Sequence, residues 1–106
     1  MIHSTIRIRI PPKKKCEVLE VLKPLAERIK VSPGCLGSHL YRDLQEEDVL
    51  MFEQRWRSEE DLKLHLRSND YRTVLLLMEV ALTQPEICFE VVNHTSGFET
   101  IESARA

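Results

Sequence analysis

From Ile2 to Ile10 the chain alternates between apolar and polar positions. Ile2, Ile6, Ile8 and Ile10 share one face, and His3, Thr5, Arg7 and Arg9 share the other. A period of two predicts a β-strand with one strongly apolar side. Pro11-Pro12 ends it, because proline offers no N–H to a ladder. The period then changes. Val18, Leu22, Leu25 and Ile29 recur at helical spacing, Leu19 and Ala26 widen the stripe, and together they predict a helix from about Lys13 to Val31. Pro24 lies inside this pattern and removes one i→i−4 hydrogen bond, so a kink or a split is expected there. Ser32-Pro33-Gly34 stops the helix.

Two strands follow, Cys35 to about Arg42 and Val49 to Arg57, separated by the polar turn Asp43 to Asp48. The second carries apolar residues on both faces, Leu50, Phe52, Gln54 and Trp56 against Val49, Met51, Glu53 and Arg55, which predicts cover on both sides. Ser58-Glu59-Glu60-Asp61 is close to a capping box and opens a short helix with Leu62, His65 and Leu66 on its buried face. Ser68-Asn69 breaks this helix and recaps another, running to about Leu82, with Tyr71, Val74, Leu75, Met78 and Leu82 on its inner side. Gln84-Pro85 ends it. The last strand, Glu86 to Asn93, places Ile87, Phe89 and Val91 on one face. The order β-α-β-β-α-β is the ferredoxin-like α+β topology, with a four-stranded antiparallel sheet. Residues 1–96 are expected to form this domain and 97–106 a polar C-terminal tail that Phe98 and Ile101 could anchor.

With both helices on one side, the other side of such a sheet is bare. Here it carries His3, Thr5, Arg7, Arg9, Met51, Glu53 and Arg55, a surface of mixed charge that is too apolar in places for solvent. A second subunit packing sheet against sheet would cover it, so a homodimer is expected. The length of 106 residues points the same way, since a chain this short buries only about 60–70% of its unfolded surface.

Composition narrows the partners. At 42% hydrophobic and 30% charged, the chain is folded rather than disordered. A net charge of −2 gives no basic excess for nucleic acid, and the cluster Lys13, Lys14, Lys15 precedes Glu17 and Glu20 at helical spacing, as a solvated helix start does. RNA-recognition modules share this topology, but their middle strands carry stacking aromatics, and Ile6-Arg7-Ile8-Arg9 has none. No apolar run reaches the ~18 residues of a membrane span, so no membrane partner is expected. Cys16, Cys35 and Cys88 are odd in number and widely spaced, and MIHSTIRIRI has no signal-peptide core; free thiols and a cytoplasmic location are expected. His3, His39, His65 and His94 show no paired ligand spacing, so no metal is expected.

The most distinctive stretch is Phe52-Glu53-Gln54-Arg55-Trp56-Arg57-Ser58-Glu59-Glu60-Asp61-Leu62, followed by His65, Ser68 and Tyr71. A strand ending in Trp, a Ser-capped acidic helix start, then His and Ser-x-x-Tyr resemble the antibiotic biosynthesis monooxygenase (ABM) family of dimeric α/β barrels. Pro33-Gly34-Cys35 and Tyr41-Arg42-Asp43 resemble its turn and second strand. The resemblance covers roughly residues 1 to 96. It implies sheet-paired dimers, each subunit keeping a pocket between sheet and helices. Some members oxygenate phenolic or quinol-type polyketides with O₂ and no metal or flavin; others degrade haem, or isomerise or bind small signalling molecules. The haem-degrading branch would place an Asn, a Trp and a His ligand where this chain has Ile6, His65 and Leu75, so the axial ligand is missing. No cofactor is expected.

Within that frame His65 is the catalytic candidate. Its helical phase puts it beside Leu62 and Leu66, facing the sheet. An imidazole titrating near neutrality could deprotonate a phenol, and an electron-rich phenolate can reduce O₂. The alternative is a hydrogen bond to a backbone carbonyl or a helix-end cap. Trp56, Gln54 and Phe52 share a strand face and are substrate-binding candidates, with Tyr71 at the rim. Trp56 would stack on a planar ligand or be core; Gln54 would orient His65, a substrate oxygen or a loop; Tyr71 would offer its hydroxyl or simply pack on Leu75. An aromatic or hydroxylated small molecule is the expected ligand. A non-catalytic binding domain of the same fold is the alternative.

Overall fold

A computed structural model describes residues 1–106. Its elements are β1 (Ile2–Arg9), α1 (Lys15–Lys30), β2 (Cys35–Arg42), β3 (Val49–Trp56), α2 (Glu59–Leu66), α3 (Asn69–Met78), β4 (Glu86–Val91) and α4 (Phe98–Arg105), with a 3₁₀ turn at Pro12–Lys14 leading into α1. The four strands form one sheet in the order β2-β3-β1-β4, with every neighbouring pair antiparallel. This is the expected ferredoxin-like α+β arrangement. No helix is long and apolar enough to cross a membrane.

The register explains the core. Ile2 lies opposite Trp56, Ile6 opposite Phe52 and Ile8 opposite Leu50, so these side chains share the helix-covered face. Val18, Leu22, Leu25, Ala26 and Ile29 of α1 meet them in one cluster, joined by Leu62, Tyr71 and Val74. The opposite face has no helix. His3, Thr5, Arg7, Arg9, Met51 and Glu53 are half-buried there and Arg55 is exposed. Its one intramolecular cover is the turn between β2 and β3. Asp43 Oδ1 accepts from the Gln45 and Glu46 N–H groups at 2.7 and 3.1 Å, and Glu46 accepts from the guanidinium groups of Arg7 and Arg9. Val49 is buried beside this turn. Cover on both faces of β3 therefore exists at one end only.

Other expectations need correction. α1 passes through Pro24 without a break. Pro24 and Glu20 both face solvent, so water can serve the carbonyl that proline leaves unpaired, while Leu22 and Leu25 stay in the core. α3 stops at Met78, and its inner side is Tyr71, Val74, Leu77 and Met78. Leu75 and Leu82 are 49% and 54% exposed; Leu82 lies past the helix, where its N–H donates to the Arg9 carbonyl at 2.8 Å. β4 ends at Val91, two residues early. The C-terminal tail forms a helix, α4, and neither Phe98 (69% exposed) nor Ile101 (53%) anchors it to the single chain.

Candidate functional site

Two serines place the site's central residue. Ser58 Oγ accepts from the Asp61 N–H at 3.2 Å and donates to the Asp61 carboxylate at 3.0 Å, which starts α2 where β3 ends. Ser68 Oγ accepts from the Tyr71 N–H at 3.1 Å and donates to the His65 carbonyl at 2.6 Å. It therefore caps α3 and ties its start to the end of α2. Between these caps Leu62 and His65 turn inward, 6% exposed each.

The His65 ring lies against Trp56, with centroids 4.6 Å apart and planes at 26°. Tyr71 meets it edge-on at 5.4 Å and 79°. An open cavity of about 150 Å³ adjoins Trp56 and His65, lined also by Ser32, Pro33, Asp61, Leu64, Ser68 and Asp70. Burial lowers the His65 pKa from its ordinary value and outweighs the opposing pull of Asp70. Neutral imidazole is thus the resting form at pH 7. Burial also raises the Tyr71 pKa, keeping its phenol protonated.

Next to Trp56 the sheet carries a polar row. Ser38 lies opposite Gln54 on β2–β3, and Ser4 lies opposite Gln54 on β1–β3. All three are buried on the helix side, 2%, 1% and 1% exposed. Four buried polar atoms in this region have no partner: Ser38 Oγ, Gln54 Nε2, Trp56 Nε1 and His65 Nε2. A protein core rarely leaves such groups unpaired, and here they cluster on adjacent positions of two strands and one helix.

The structure thus brings His65 into contact with both Trp56 and Tyr71. Gln54 and Phe52 share the face but do not touch the cavity wall. Gln54 makes no hydrogen bond to His65. One face of Trp56 is taken by His65, and Tyr71 is buried rather than at the rim. Sequence reasoning missed Ser4 and Ser38, whose signal lies in strand register, and the cavity residues Asp61, Ser68 and Asp70. It read Ser68 as a helix break and cap and as part of the Ser-x-x-Tyr pattern, not as a cavity residue. Cys35 is a poor nucleophile, because burial pushes its thiol up, away from thiolate.

A family model described as antibiotic biosynthesis monooxygenase matches residues 1–75. No curated protein matches the chain. Among solved structures, a conserved protein from Methanosarcina mazei is 26% identical with a TM-score of 0.78, over 84% of this chain and 89% of that one. A candidate antibiotic biosynthesis monooxygenase from Caulobacter crescentus is 25% identical with a TM-score of 0.78, over 88% and 90%. Another such candidate, from Deinococcus radiodurans, reaches a TM-score of 0.83 at 15% identity, over 92% and 98%, and bears on the fold alone. The matched stretch runs from β1 through α2 and into α3, and so contains Gln54, Trp56, His65 and Tyr71. On that match and the shared sheet-and-helix arrangement, the chain belongs to the antibiotic biosynthesis monooxygenase family.

Proposed function

We propose that the cavity beside His65 is the active site of a cofactor-independent monooxygenase acting on a phenolic or quinol-type small molecule. The observation that carries this is His65 itself: a buried imidazole, neutral at rest, on a cavity wall, with Nε2 unpaired and Trp56 and Tyr71 fixing its ring. A neutral imidazole is the form that can accept a proton. His65 would take the substrate's hydroxyl proton, and the resulting phenolate would pass electrons to O₂. One oxygen atom would enter the product as a carbonyl and the other would leave as water, with all four electrons coming from the substrate. The Trp56 N–H, short of an acceptor and on the cavity wall, suits a ligand oxygen. A volume of about 150 Å³ suits one aromatic ring, since apolar cavities of roughly that size hold benzene. The functional unit in this scheme is a homodimer paired through the outer sheet face, which the turn at Asp43 to Asp48 covers at one end only.

A non-catalytic binding domain is the second reading. It is favoured by the openness of the cavity, which does not seal a bound molecule from water as the chemistry of a reactive phenolate asks. Oxygen uptake with a panel of phenols and quinols separates the two. Catalysis by His65 predicts that His65→Ala lowers turnover about 10²–10⁴-fold in a variant that circular dichroism shows to be folded. Uptake that is absent throughout, or unchanged in the variant, removes the catalytic role.

A further inference from the structure

The side of the sheet that α1, α2 and α3 cover is finished on three strands and unfinished on the fourth. Ile87, Phe89 and Val91 of β4 lie opposite Ile6, Ser4 and Ile2, so they share the core-facing side. Their neighbours on β1 are 1–7% exposed, yet Ile87, Phe89 and Val91 are 47%, 44% and 69% exposed. α4 has the complementary deficit. Phe98, Ile101 and Ala104 fall within one side of this helix, and none of its residues is buried. None of its turn or side-chain hydrogen bonds reaches beyond Ser96. Residues 92–97, neither helix nor strand, join it to β4. The molecule is accordingly long, 50 × 34 × 22 Å, with a radius of gyration of 15.5 Å where a compact chain of this length has about 13 Å.

We infer that α4 is an exchanged arm: in a dimer it packs Phe98 and Ile101 onto the Ile87-Phe89-Val91 strip of the second copy, which returns its own α4. An extended arm and an uncovered strip on the same chain are the two halves of a reciprocal contact, and a two-fold axis satisfies both at once. The need is physical. Only 22 of 106 residues are buried in the single chain, and apolar area on the arm and strip is what a second copy would remove from water. The inference needs a second copy but not the sheet-face pairing proposed above, so the two can fail separately.

The test is a pair of cysteines, Phe89→Cys with Ile101→Cys, in the full chain with Cys16, Cys35 and Cys88 changed to serine. After mild oxidation at micromolar concentration, peptide mapping locates the bond. Arm exchange predicts a covalent dimer linked from position 89 to position 101. The same bond within one chain, or no such bond, overturns it. Phe98→Ser with Ile101→Ser, both exposed, guards against misfolding of the cysteine variant. It should raise the dimer dissociation constant at least tenfold with an unchanged circular dichroism spectrum, and an unchanged constant also overturns the arm. If light scattering still finds a dimer, the sheet-face pairing stands without it.

Discussion

His65 is held by Trp56 on one ring face and by the edge of Tyr71, with its backbone carbonyl bound to Ser68. Such a residue should mark the pH dependence of stability. Its folded pKa lies below the value of about 6.5 that an unfolded histidine has. Between the two values the unfolded chain binds more protons, so stability is full above the unfolded pKa and falls as pH drops through the window. We expect denaturant unfolding from pH 7.5 to 5 to show this loss, and His65→Phe to flatten it. An identical slope in the variant would assign the loss to other groups. Gln54 makes a second prediction. Its unpaired Nε2 contributes nothing to the free fold, so Gln54→Met should leave stability within about 1 kcal/mol or raise it. A loss of 3 kcal/mol or more would show that Gln54 is structural. The inward phase of His65 was legible from Leu62 and Leu66. The stacking on Trp56 was not, because it depends on how α2 settles against β3, which neither segment's period encodes.

The helix caps are the most local features and were the most legible. Ser58 and Ser68 stand where a hydroxyl followed by acids predicts helix starts, and both accept the expected backbone N–H. Ser68→Ala should cost about 1 kcal/mol in thermal unfolding, and it should disturb the pocket more than Ser58→Ala because it also frees the His65 carbonyl. Gly34 is a sharper case. Its φ of +78° is a left-handed conformation, and a Cβ there would run into the Asp61 side chain on the cavity wall. Gly34→Ala should destabilise by at least about 1–2 kcal/mol from the backbone alone. Wild-type stability in that variant would mean that the turn relaxes freely. Element ends were misread where tertiary contact decides. Pro24 sits on the solvent side of α1, where its missing bond matters least, and Leu82 leaves α3 to bond the end of β1. α4 was read as a tail because eight residues with one strong apolar pair carry little periodic signal.

At the scale of the molecule, the ferredoxin-like topology followed from the element order β-α-β-β-α-β, and the helix side from the alternation of β1 and the one apolar face of α1. The unfinished surfaces did not, since β4 reads as an ordinary strand whether or not anything covers it. Both the outer sheet face and the β4 strip ask for a second copy. Light scattering at micromolar concentration should give about twice the chain mass of 12.4 kDa, and a monomer would contradict both pairings. The claim that matters most for function is narrower: the cavity beside His65 receives a small phenol. Imidazole NMR of the free protein, titrated with a panel of single-ring phenols and quinols, addresses it directly. The His65 signals should move saturably with at least one of them, while His3, His39 and His94, which do not line the cavity, stay put. His65 signals that ignore every compound in the panel, or shifts spread evenly over all histidines, would contradict it.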